Sequence, residues 1–243
     1  MRNRVFRGVS VCAVVAVAGV ASASVNVRAV HLSPTAPTVD VLVNGGVAFP
    51  AISFPSATPY ASLPNGTYDV DLRVTESPST VLPFADPLAL ADNDYTVVAA
   101  DTLANLQPLA FVDDNTIDPA NARVRFIHGS PDAPTVDVRV AGGGPTLFDG
   151  VSFTESGGYQ TVAPGTYDLD VTSDDGSTTF LPLTGIELEA GFVYTVFAAG
   201  FAAPPTQDDP GLSALLVADI PSPGAAAVLG LGGLAAVRRR RTG

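Results

Sequence analysis

One stretch of this chain is written twice. Arg28-Ala29-Val30-His31-Leu32-Ser33-Pro34, continuing through Ala36-Pro37-Thr38-Val39-Asp40-Val41, returns as Arg125-Phe126-Ile127-His128-Gly129-Ser130-Pro131 and Ala133-Pro134-Thr135-Val136-Asp137-Val138, 97 residues further on. Gly66-Thr67-Tyr68-Asp69 returns as Gly165-Thr166-Tyr167-Asp168, and Tyr95-Thr96-Val97 as Tyr194-Thr195-Val196, both at an offset of 99. Three blocks repeated in the same order mean a duplicated module. The two extra residues fit an insertion near Gly142-Gly143-Gly144.

Each block has the period of a strand. Val39, Val41 and Val43 alternate with Thr38, Asp40 and Leu42; Tyr167, Leu169 and Val171 alternate with Asp168 and Asp170. Period-two patterning with one polar face predicts antiparallel sheets, half buried against a partner sheet. Asn44-Gly45-Gly46, Pro64-Asn65-Gly66, Pro164-Gly165 and Asp174-Asp175-Gly176 supply the turns. Modules of about 95 residues with short, closely spaced strands predict an all-β chain of two tandem immunoglobulin-like β-sandwiches. Their expected spans are residues 24–118 and 119–219, joined near Asp118-Pro119-Ala120-Asn121.

The two ends read as addresses. Arg2, Arg4 and Arg7, the apolar run Val9–Val20 and the small residues Ala21-Ser22-Ala23 form a signal peptide over residues 1–23, with cleavage before Ser24. Its removal by signal peptidase takes away Cys12, the chain's one cysteine, and with it any thiol chemistry. Residues 220–243 carry Pro221-Ser222-Pro223, an apolar run from Gly224 to Val237, then Arg238, Arg239, Arg240 and Arg241. That run of 14 residues spans about 21 Å as a helix, short against a hydrocarbon core of about 30 Å. The arginines would hold its end in the cytoplasm, giving at least transient membrane attachment. The segment resembles the PEP-CTERM sorting signal, with Ser222 where that family carries Glu. The resemblance implies an exosortase-type transpeptidase as a partner, with Pro221, Pro223 and the four arginines as processing residues, and a cell-envelope or extracellular destination.

Between the ends, five arginines face 24 acidic residues and no lysine, a net charge of −19. Such a body repels phosphate backbones and argues against nucleic-acid binding.

The repeated phrase Arg-x-x-His-x-Ser-Pro-x-Ala-Pro-x-Val-Asp-Val, followed by Gly-Thr-Tyr and Tyr-Thr-Val, resembles domain of unknown function 4397 (DUF4397). That resemblance implies secreted or surface β-domains in tandem and supplies no catalytic residues.

Two chemistries are open to such a chain. A hydrolase would combine His31, Ser33 and Asp40, or His128, Ser130 and Asp137, as base, nucleophile and orienting group. No nucleophile elbow or oxyanion loop accompanies them. His128 instead shares a strand face with Val124 and Phe126, and Ser130-Pro131 starts a turn in which the hydroxyl can bond a backbone N–H. Calcium could use the oxygen donors Asp113, Asp114, Asn115, Asp118, Asp174, Asp175, Asp208 and Asp209, although none follows the spacing of a calcium loop and turns explain them equally. Asp40 and Asp137 read as polar residues that keep a strand face wet. The reading preferred over an enzyme is therefore a non-enzymatic structural or adhesive surface protein. It has no catalytic residues, no cofactor and no metal ligands, and it is associated with exopolysaccharide or biofilm. A carbohydrate-active or esterase-like enzyme and an acidic calcium-binding surface protein are the alternatives.

Overall fold

The computed structural model describes residues 24–75, 81–83 and 86–219. The signal segment with Ala21 and Ala23, and the sorting segment with Pro221, Pro223 and Arg238–Arg241, lie outside these residues. Ser24, at the expected cleavage point, is exposed at the start of the first strand.

The first module contains β1 (Ser24–His31), β2 (Val39–Val43), β3 (Gly46–Ile52), β4 (Ser56–Ala57), β5 (Ala61–Pro64), β6 (Gly66–Tyr68), β7 (Val70–Val74), β8 (Val81–Pro83), β9 (Leu88–Leu90), β10 (Asp94–Ala100) and β11 (Gln107–Asp113). The second contains β12 (Ala122–His128), β13 (Val136–Val140), β14 (Thr146–Val151), β15 (Ser156–Val162), β16 (Gly165–Ser173), β17 (Thr179–Leu188), β18 (Val193–Ala199) and β19 (Ser213–Asp219). Each module is a sandwich. In the first, an inner sheet β11-β10-β1-β4, with β5 also on β1, covers an outer sheet β3-β2-β7-β8. In the second, β15-β12-β18-β19 covers β14-β13-β16-β17. Among the described residues no helix is long and apolar enough to cross a membrane.

Alternation builds both cores. Val25, Val27 and Ala29 of β1 meet Val39, Val41 and Leu72 of the outer sheet. Val124 and Phe126 of β12 meet Val138, Phe148, Leu169 and Val171. The longer connection in the second module lies between β13 and β14, where Gly142 and Gly143 take φ of 74° and 85°. The two-residue turn Asn44-Gly45 does the same work in the first.

Two expectations are corrected. The outer sheets are antiparallel as expected, but the inner sheets are mixed, because β1 runs parallel to β10 and β12 parallel to β18. Parallel neighbours need a long crossover, and here the whole outer sheet supplies it before the chain returns beside its starting strand. The inner sheets also have no wet face. The residues of β18 are buried throughout, since Val30, Leu32, Val98 and Ala100 of one inner sheet pack on Ile127, Phe197, Ala199 and Val217 of the other. The four larger sheets thus stack with three apolar layers between them, and β6 and β9 form a separate two-stranded pair.

Candidate functional site

The histidine motifs fold into turn braces. His31 and His128 are 0% and 1% exposed. Nε2 of His31 donates to the Pro37 carbonyl at 3.0 Å, and its Nδ1 accepts the Ser33 backbone N–H at 3.2 Å. His128 does the same with Pro134 and Ser130 at 3.1 and 3.3 Å. The nitrogen that a hydrolase would turn toward the serine hydroxyl is therefore occupied by the serine's backbone N–H. The Ser130 hydroxyl reaches Asp132 at 3.3 Å, and the Ser33 hydroxyl is buried without a partner, so neither makes the expected bond to a backbone N–H. Asp40 and Asp137 bond elsewhere, so the base–nucleophile–orienter arrangement is not assembled.

Burial pushes both imidazoles below their ordinary value, more strongly than the proline carbonyls pull them up. Neutral histidine in the fold means that unfolding takes up protons once the pH drops below about 6.5, the free histidine value. Stability is accordingly full above that pH and falls as acid is added, by up to about 1.4 kcal/mol per pH unit for each histidine. Thermal melts between pH 7.5 and 5 check this. The slope should fall by about half in His31→Gln.

Asp40 and Asp137 are likewise buried, at 4% and 0% exposure; the expectation of a wet strand face is overturned. Each caps a β-bulge on the neighbouring strand. Asp40 accepts the Ala51 N–H at 2.8 Å and Asp137 the Gly150 N–H at 2.8 Å, where the chain turns through φ of 52° and 60°. Each also holds an arginine, but from a different place. In the first module it is Arg73, across the ladder at 2.6 Å. Thr172 occupies that site in the second, and Arg139, two residues along the same strand, replaces it. Burial pushes the Asp40 carboxyl up, but the Ala51 N–H, Arg73 and Thr75 outweigh it and hold the group below its usual range.

Five of the eight oxygen donors considered for calcium (Asp113, Asp114, Asp118, Asp175 and Asp209) accept hydrogen bonds from the protein, while Asn115 Oδ1 is buried without a partner. Asp114 pairs with Arg123 at 2.7 Å, and that bond draws its carboxyl well below the ordinary range. Asp118 accepts the N–H groups of Ala120 and Asn121. Asp175 is pulled down to about 2 by Ser173 and Ser177, and Asp209 binds Thr206. A cavity of about 360 Å³ runs past Asp92, Asp94, Asp113 and Asp114, yet among the described residues no three acidic or histidine side chains gather as metal ligands.

The densest polar constellation lies where the modules meet. Arg28 of the first module reaches across to Asp219 of the second at 2.8 and 3.0 Å; Arg125 of the second reaches back to Asp113 of the first. Arg28 Nε donates to Thr96 at 2.8 Å, and Thr195, its counterpart, lies within 3.4 Å of both guanidinium groups. Tyr60 and Tyr159 stack beneath Arg28 and Arg125 at 4.8 Å. Burial pushes the Tyr60 phenol far above its ordinary value, so it stays protonated and donates to Asp113 at 2.7 Å. Both arginines are at most 2% exposed. Every group on one side has its counterpart on the other, so the seam carries a pseudo-twofold axis. Two cations face two anions, and burying paired charges costs far less than burying them singly. The described polar groups are turned toward one another across the seam. The crossed pairs hold one module to the other.

The arginines open the repeated phrase, and their signal was visible: a charge in both copies on a strand face otherwise apolar at Val30 and Ile127. Asp113 was among the calcium candidates; its partner is Arg125. Asp219 lies at the far end of the second module, and nothing local marks it.

No curated protein matches this chain. Among solved structures, a candidate cell adhesion protein from Bacteroides fragilis aligns over 85% of this chain and 100% of its own, at 13% identity and a TM-score of 0.18, too low to argue from. The family model described as a domain of unknown function, DUF4397, matches residues 25–139 and again 122–228, and the chain belongs to that family as two modules in tandem.

Proposed function

We propose that this is an exported, non-enzymatic protein of the cell surface or extracellular matrix, in which two modules act as one stiff spacer and adhesive unit. The observation that carries the reading is the buried seam: crossed Arg–Asp pairs and an apolar layer fix the modules against one another. A rigid body suits a spacer better than jointed beads do. The histidine and aspartate motifs serve turns and bulges, which supports a structural role over a hydrolytic one. Signal peptidase and an exosortase-type enzyme are the proposed processing partners, and the segment from Ile220 onward the sorting or anchoring device. Envelope polysaccharide is the proposed adhesive partner.

Two measurements test the reading. The intact mass of the protein from its host should correspond to a chain starting at Ser24 and ending near Ile220–Pro223, recovered outside the inner membrane. Retention of Arg238–Arg241 would make the segment a plain anchor. The purified body should bind isolated envelope polysaccharide; binding to neither polysaccharide nor cells would remove the adhesive half of the proposal.

A further inference from the structure

The seam is self-complementary in charge. Each inner sheet offers one arginine, one aspartate, one threonine and one tyrosine at matched places, so charge alone would let a first module pair with another first module as well as with a second. Shape does not share that symmetry. On a twofold axis a residue meets its own counterpart, and the counterparts in contact here are Leu32 and Gly129. A Cβ added at Gly129 would stand 2.5 Å from Leu32 Cδ1, so the absence of a side chain at 129 is what admits the leucine. Leu32 is 0% exposed and belongs to the seam's apolar layer. A like pairing would set leucine against leucine in one case and leave glycine opposite glycine in the other. The same layer carries Val98 and Phe111 in the first module where the second has Phe197 and Val217, so bulk alternates between the copies off the axis too.

We propose that the inner sheet of the first module is a docking surface selective for the unlike module, with Leu32 as knob and Gly129 as its hole. Its partner is the second module of the same chain. A second first module is rejected by overlap, and a like pair of second modules is disfavoured by an unfilled void. The proposal rests on the seam geometry and not on the adhesive reading above.

Four full-length chains reproduce the four pairings inside one molecule. The natural chain has Leu/Gly on the axis, Gly129→Leu has Leu/Leu, Leu32→Gly has Gly/Gly, and the exchange Leu32→Gly with Gly129→Leu has Gly/Leu. A Cβ at Gly129 would also stand 2.8 Å from the Ala198 carbonyl of its own module, so a fifth chain, Leu32→Gly with Gly129→Ala, measures that local cost in the absence of the leucine. Melting temperature and radius of gyration in solution are the readouts. Gly129→Leu should melt many degrees lower and scatter as a longer particle with the seam open. Leu32→Gly should stay closed and melt several degrees lower. The exchanged chain should regain the natural dimensions and most of the lost melting temperature. If Gly129→Leu does not fold at all, recovery of a folded, closed protein on exchange remains the reading. An exchanged chain as impaired as the two single changes combined, or a Gly129→Leu chain as compact and stable as the natural one, overturns the proposal.

Discussion

Arg125→Ala should cost about 3–5 kcal/mol of folding stability, the range for stranding one partner of a buried ion pair. Asp113, fully buried as a side chain, loses the cation bonded to it and keeps the hydroxyls of Tyr60 and Thr96, neutral donors that cannot balance a charge. Tyr159 loses the guanidinium stacked on it. Replacing both members of the pair with apolar residues of similar volume, Arg125→Met with Asp113→Leu, should recover most of the loss, because the penalty lies in the unpaired charge more than in the missing attraction. Urea titration of the three chains checks the ordering. A loss below about 1 kcal/mol would place the pair with ordinary surface bridges and remove it as the device that fixes the modules. Arg28→Ala should cost less, because Asp219 keeps 11% of its side chain exposed and can draw on solvent.

Phe197→Ala is the second large effect, about 3–5 kcal/mol for truncating a fully buried phenylalanine. The position decides what fails. Phe197 belongs to the seam layer with Ile127, Val217 and Leu32, whereas Phe126, its equal in burial, packs inside the second module against Phe148. The two truncations should cost similar energies and yield different intermediates. Phe126→Ala should loosen the second module's own ladders. Phe197→Ala should open the seam first, so that amide exchange rises along β10 and β18 together while the outer sheets keep their protection. Equal loss of protection in all four sheets would mean that seam and cores unfold as a single unit.

Much of this architecture could be read from the chain. Duplication is written in the letters, and period-two patterning with glycine and proline at the turns is enough for two β-sandwiches, because a strand's side chains must alternate whatever surrounds them. The histidine motif was also readable as structural, since His128 shares a face with Val124 and Phe126 and therefore points into a core. Three features were not legible. Parallel pairing of β1 with β10 is set by where the chain re-enters the sheet, and alternation is blind to strand direction. Asp40 and Asp137 look identical to surface carboxylates in a strand pattern; the bulges at Ala51 and Gly150 that they cap exist only once the neighbouring strand is placed. The seam is the clearest case. Arg28 and Arg125 stand out as charges on an otherwise apolar strand face, but nothing local tells a strand that this face will meet a second sheet, or that Asp219, 191 residues away, will arrive opposite. Local sequence determined the modules, since each strand's period and each turn's backbone demand are short-range properties. Their mutual fixing was decided only by tertiary structure, because it depends on charge and shape matched across a face that no single module completes.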